Sequence, residues 1–187
     1  MSVSADSIAA AIRAAKGRGL PPVEKWNPPF CGDLDMRIAR DGTWFYLGTP
    51  IGRAPLVRLF STVLKREGDK FFLVTPVEKV GITVDDAPFL AVDFEVDGEG
   101  NEQRLTFLTS VGDRVTADVD HPIRVEERNG EPAPYVEVRN GLDALIDRKS
   151  FFRLADLAVE EEIDGCATFG VWSAGTFFPV IDAERLS

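Results

Sequence analysis

Only two cysteines, Cys31 and Cys166, and one histidine, His121, stand in 187 residues. Two cysteines cannot frame a disulfide scaffold, and a reducing compartment is the simplest expectation. C-x-x-C pairs and cysteine–histidine clusters are missing, which excludes the common zinc modules. A run of about 18 apolar residues is also missing, so no transmembrane helix is expected. The N-terminus carries no apolar core of the kind a secretory signal needs. Basic runs are absent: 21 Lys and Arg face 31 Asp and Glu, for a formal net charge of −10. Such a surface repels duplex nucleic acid and anionic membrane, so neither is an expected partner. The Walker pattern and the G-x-G-x-x-G fingerprint that opens a helix are absent, which excludes the familiar nucleotide loops. A cytoplasmic bacterial protein is expected, with no cofactor legible.

What is present is enough apolar bulk for two modest cores. The apolar fraction is 44%, with 13 Phe and 3 Trp. The most informative pattern is an echo. Ile51-Gly-Arg-Ala-Pro-Leu-Val-Arg-Leu59 returns as Ile146-Asp-Arg-Lys-Ser-Phe-Phe-Arg-Leu154. Ile51, Arg53, Arg58 and Leu59 thus recur as Ile146, Arg148, Arg153 and Leu154. An echo in each half predicts a duplicated structural unit. Helices and strands do not alternate strictly, so the fold class expected is α+β, with two similar sub-domains. An N-terminal helix region (1–20), a first α+β unit (21–82) and a larger second unit (83–187) with a barrel-like sheet are predicted.

Ile8, Ala11, Ile12 and Ala15 predict a helix over 4–16. Pro21-Pro22 and Pro28-Pro29 predict an extended segment carrying Trp26. A hairpin turns at Asp41-Gly42, between the Leu34–Ile38 alternation and Trp44–Leu47. Gly48–Gly52 reads as a loop. Leu56, Leu59, Phe60, Val63 and Leu64 predict one helical face, with Pro55 in its first turn and Gly68 beyond its end. Strands follow at 71–75 and 80–84. A second hairpin is read at 89–96 and 105–111, then a strand at 114–119. A third turns at Asn129-Gly130 and returns along 135–138. A loop then leads to a helix over 149–161, followed by strands at 169–172 and 177–181.

Arg53 and Arg148 fall at the starts of the two repeated helices. The helix dipole makes a cation there mildly unfavourable unless an anion joins it. A phosphate or carboxylate ligand would be held by helix N–H groups and guanidinium together. The alternative is an internal ion pair, which a duplication would copy equally well. Arg58 and Arg153 read as surface salt bridges. Arg139-Asn140-Gly141 and Gly48-Thr49-Pro50 precede the two helices. Converging loops would line a cleft with Thr49, Arg53, Arg139, Asn140 and Arg148, and Trp26 could stack on a planar group. Asp33 and Asp35 share one strand face and read as solvated or paired with Arg37. His121 reads as a turn residue. Cys31 has no cation run to activate it, so no catalytic residue is assigned.

Several stretches together resemble a known family. They are Pro22–Pro29 followed by Cys31–Ile38, then Gly48–Arg53, Leu73–Val80 and Pro134–Arg139. The chain resembles the proteobacterial family termed domain of unknown function 1285 from about Pro21 to Ile181. The resemblance implies a two-domain α+β protein with a duplicated core and a second domain similar to pleckstrin-homology folds. It also implies a nucleotide-like ligand at the domain interface and a role in signal transduction. The function expected is therefore non-catalytic binding of a small anionic, nucleotide-like ligand between the units, with a signalling protein as partner. The competing expectation is a protein-interaction scaffold that uses exposed strand edges.

Overall fold

The computed structural model describes residues 3–15 and 17–182. Helix α1 (Ala5–Ala15) lies within the expected range, of which Lys16 falls outside the described residues. Its Ile8 and Ile12 are buried, with Arg13 in the last turn where it complements the dipole. The proline segment is not wholly extended: Val23–Lys25 form one 3-10 turn. Val23 and Lys25 donate to the Pro21 and Pro22 carbonyls at 2.9 Å, so the prolines supply acceptors instead of excluding the turn.

The chain divides between Pro88 and Phe89 into two units. The first continues with β1 (Phe30–Ile38), β2 (Trp44–Tyr46), β3 (Thr49–Pro50), α2 (Ala54–Ser61), β4 (Leu64–Glu67), β5 (Lys70–Val74) and β6 (Lys79–Val84). These strands form one six-stranded sheet in the order β3-β2-β1-β6-β5-β4. Neighbours are antiparallel, except that β1 and β6 run parallel and join the two meanders. Leu34, Met36 and Ile38 point inward while Asp33, Asp35 and Arg37 face solvent. Ile8, Ile12, Trp44, Phe60, Val63, Leu64 and Leu73 complete this core. Each such side chain contributes about 1.5–3 kcal/mol by burial. Trp44 and Phe60 stack with centroids 6.3 Å apart.

Helix α2 is shorter than the apolar spacing predicts. The Ser61 and Thr62 hydroxyls donate to the Arg58 and Leu59 carbonyls at 2.7 and 2.6 Å, competing with the helix ladder at its last turn. Val63 and Leu64 are buried all the same, but Leu64 is the first residue of a strand.

The second unit begins with β7 (Phe89–Asp97), β8 (Arg104–Thr109) and β9 (Arg114–Thr116). It continues with β10 (Ile123–Arg128), β11 (Glu131–Arg139), β12 (Leu142–Ile146), α3 (Arg148–Asp156), β13 (Val159–Ile163), β14 (Cys166–Ser173) and β15 (Thr176–Asp182). Three strands, a helix and three strands therefore occur in both units. In the second they split between a sheet ordered β10-β11-β12-β7-β8-β9 and a separate β13-β14-β15 sheet. The smaller sheet is pinned inside the unit by buried polar contacts. Ser173 Oγ donates to the Ala117 carbonyl at 2.6 Å and accepts from Leu105 N–H at 3.0 Å. Gln103 Nε2 donates to the Trp172 carbonyl at 2.9 Å.

Two expectations fail in this unit. The loop before the helix contains β12, buried along its whole length. Residues 159–161, the end of the expected helix, lie instead in β13, because pairing with β14 outweighs the helix propensity of the glutamates. The architecture is two mostly β units with a few helices, and the repeated element order matches a duplication.

Candidate functional site

The six candidate ligand residues divide between the units: Trp26, Thr49 and Arg53 in the first, Arg139, Asn140 and Arg148 in the second. Arg53 is the N-cap of α2, in extended backbone and with no side-chain cap. It is exposed, and among the described residues no carboxylate pairs with it. The helix start offers little to an anion, however. Pro55 has no N–H, and the N–H groups of Leu56 and Val57 both donate to the Arg53 carbonyl, at 3.0 and 3.2 Å. Thr49 is exposed on β3, opposite Tyr46. Trp26 is half-buried behind the 3-10 turn, where its N–H donates to the Val23 carbonyl at 3.2 Å.

The start of α3 differs from the expectation. Arg148 is its first residue, and the N-cap is Asp147, whose Oδ1 accepts from Ser150 N–H at 2.8 Å. The chain's own carboxylate therefore takes the place proposed for an anionic ligand. Arg148 is exposed, with Cζ 5.6 Å from the Phe152 ring centroid and no carboxylate partner among the described residues. Arg139 is engaged: Nη1 donates to Asp113 Oδ1 at 2.9 Å, and Cζ lies 4.9 Å from the Phe89 ring centroid. The internal ion pair is thus the outcome at Arg139. Asn140 has φ 49 and, with Gly141, turns β11 into β12, so its backbone role is structural.

The remaining candidates have structural partners. Arg37 pairs with Asp85 and not with Asp33 or Asp35, and its Cζ lies 4.6 Å from the Phe45 ring centroid. His121 closes a turn, with Nδ1 3.2 Å from the Glu137 carbonyl oxygen. The Cys31 thiol donates to the Pro29 carbonyl at 3.4 Å, and both cysteines are exposed and free. No metal-ligating cluster occurs among the described residues, nor is any helix long and apolar enough to cross a membrane.

A charge cluster lies on the large sheet of the second unit. Arg124 donates to Glu126 and Asp143, each at 2.9 Å, with Cζ 4.8 Å above the Tyr135 ring. Burial works against the Arg124 charge, but the two carboxylates outweigh it and hold the guanidinium above its ordinary pKa. Asp143 can therefore occupy a buried strand position.

A feature that residue spacing did not reveal lies beside this cluster. In the first unit, β1 and β6 pair in parallel, Asp33 opposite Gly81 and Arg37 opposite Thr83, with a register shift between those pairs. The corresponding strands of the second unit, β10 and β15, run beside one another without a hydrogen-bonded ladder, each the outer strand of its own sheet. A 470 Å³ cavity opens there, lined by Val125, Pro132, Phe151, Pro179, Val180 and Ile181, together with Glu126, Glu127 and Thr168. Both strands were legible, but the missing ladder was not, because strand pairing leaves no local signal.

Two family models match the chain: the N-terminal domain of the domain of unknown function DUF1285 over residues 21–87, and the C-terminal domain of the same family over 88–180. The chain belongs to the DUF1285 family. It is similar to the crystal structure of a DUF1285 family protein from Silicibacter pomeroyi DSS-3, with 62% identity and a TM-score of 0.87 over 96% of this chain and 97% of that one. It is also similar to a DUF1285 family protein from Shewanella baltica OS155, with 31% identity and a TM-score of 0.52 over 65% of this chain and 90% of that one. No curated protein matches the chain.

Proposed function

We propose that the protein is a non-catalytic interaction module that takes an extended segment of a partner protein at the opening between β10 and β15. The observation that carries this reading is the unjoined pair of outer strands around a mainly apolar cavity. Outer strands present unpaired backbone groups, and an added strand satisfies them while its alternate side chains enter the cavity. Pro179 has no N–H, so β15 lacks a backbone donor at that position. Glu127 and Glu126, the latter already paired with Arg124, stand at the rim, so an acidic segment is disfavoured there. A likeness of the second unit to pleckstrin-homology folds belongs to the same proposal, as does a signalling partner.

The test is a titration of isotope-labelled protein with a synthetic peptide of alternating Val and Thr flanked by Lys. Amide shifts and slowed exchange confined to β10 and β15, and lost in Ile181→Asp, are expected. Shifts elsewhere, or none at saturating peptide, refute the reading.

A second reading is binding of a small anionic, nucleotide-like ligand. The specific support is that neither Arg53 nor Arg148 has a carboxylate partner among the described residues. A thermal-shift screen of nucleotides tests it, because a ligand selective for the native state raises apparent stability. A rise retained in both Arg53→Ala and Arg148→Ala would remove these residues from the reading.

A further inference from the structure

The duplication places two arginines on equivalent helices, and their surroundings differ. Arg153 of α3 donates to the Asp93 carboxylate and, through Nη2, to the Phe94 carbonyl at 3.0 Å. Its Cζ lies 4.5 Å from the Phe94 ring centroid. The counterpart Arg58 of α2 is exposed, and its guanidinium has no carboxylate, carbonyl or ring partner among the described residues. Only its main-chain carbonyl is engaged, by Ser61 Oγ. The expectation of a salt bridge at both arginines therefore holds at Arg153 and fails at Arg58.

Beside Arg58 the first unit has a 270 Å³ cavity where α1 packs against α2. Ile12, Pro21, Pro55 and Leu59 give it an apolar wall, with Gly19 and Thr62 completing the lining, and it is open to solvent on one side. The Thr62 hydroxyl already donates to the Leu59 carbonyl at 2.6 Å. Among the described residues, Arg58 is left as the one charged group lining the cavity.

A lone guanidinium beside an apolar wall selects a molecule with the same two parts. Its planar fork fits a carboxylate with two parallel hydrogen bonds, while an aliphatic tail gains by leaving water. Ligand cavities generally start near 300 Å³, so this one suits a short tail. We propose that the first unit binds a medium-chain aliphatic monocarboxylate, its head on Arg58 as the Asp93 carboxylate sits on Arg153, its tail against Ile12 and Leu59. This site is independent of the β10–β15 opening and does not rest on it.

The experiment titrates the full chain with octanoate and, separately, with octanol, following the amide signals of Leu59 and Thr62. Octanoate is expected to bind roughly tenfold more tightly than octanol, since charge-assisted hydrogen bonds supply that margin. Arg58→Gln should abolish the difference while octanol binding stays as it was. Leu59→Trp, which fills the cavity, should abolish both. Arg153→Gln should leave octanoate affinity unchanged. Equal affinity for the two probes, octanoate binding indifferent to Arg58→Gln, or no response at Leu59 and Thr62 overturns the proposal.

Discussion

Gly170 and Gly81 test what a single methyl group meets in a sheet. At Gly170 a Cβ would lie 2.3 Å from the Phe178 carbonyl oxygen, 2.9 Å from its carbon and 2.7 Å from Phe177 Cζ. Two of those atoms are backbone of β15, which cannot rotate away. At Gly81 the Cβ would lie 2.2 Å from Asp33 Oδ1 and 3.3 Å from its Cγ, the end of an exposed side chain. The carboxylate can swing into solvent at small cost. Overpacking costs about 1–3 kcal/mol, and a backbone obstacle puts Gly170→Ala in the upper half of that range. Replacing a strand glycine by alanine otherwise contributes roughly 0.5–1 kcal/mol of stability. Gly81→Ala is therefore expected to lie within about 0.5 kcal/mol of the parent. The assay is urea denaturation with a probe in each unit, because the two units need not unfold together. In a thermal melt the midpoint of the second unit should fall by roughly 8–24 °C for Gly170→Ala. The substitution should also displace β15 and weaken any ligand at Val180 and Ile181. If Gly170→Ala proves harmless, or Gly81→Ala costs more, the argument from backbone versus side-chain obstruction is wrong.

Three further outcomes are expected. Asp147→Ala removes the cap of α3 and should cost about 1 kcal/mol by denaturation; an unchanged midpoint would mean that the 2.8 Å bond to Ser150 contributes nothing. Phe60→Ala empties a fully buried position stacked on Trp44 and should cost about 3–5 kcal/mol, enough to unfold the first unit first. The hydrogen bond from Arg153 and the N–H of Phe94 hold Asp93 below the ordinary carboxylate pKa. Its contribution is thus present above the unfolded value of about 4 and fades as pH falls through the lowered folded value. Denaturation midpoints of the parent and Asp93→Asn should converge as pH drops below about 4, and a constant gap across that window refutes the linkage.

The hairpins were legible because their strands alternate and their turns carry Asp41-Gly42 and Asn129-Gly130. The run Leu142–Ile146 was not, since a strand buried on both faces shows no alternation. Its Asp143 is a buried carboxylate, and the partner that permits it, Arg124, lies on another strand. The Glu160–Glu162 stretch favours helix locally, and only the ladder to β14 makes it a strand. Equivalent arginines could be read from the echo, whereas Asp93 and Asp113, which engage Arg153 and Arg139, lie far off in sequence. At the candidate site, residue types were legible and partners were not, because partners are set by tertiary packing.

Splitting the second unit into two sheets has a cost in self-recognition. One sheet has two free margins, two sheets have four, and every margin can template another copy of itself. Strand β13 is such a margin, and it exposes Val159 and Ile163. Glu160, Glu161 and Glu162 sit between them. Like charges brought face to face would oppose stacking of this strand on its own image, so part of the molecule's acidity acts as a local guard against fibril growth.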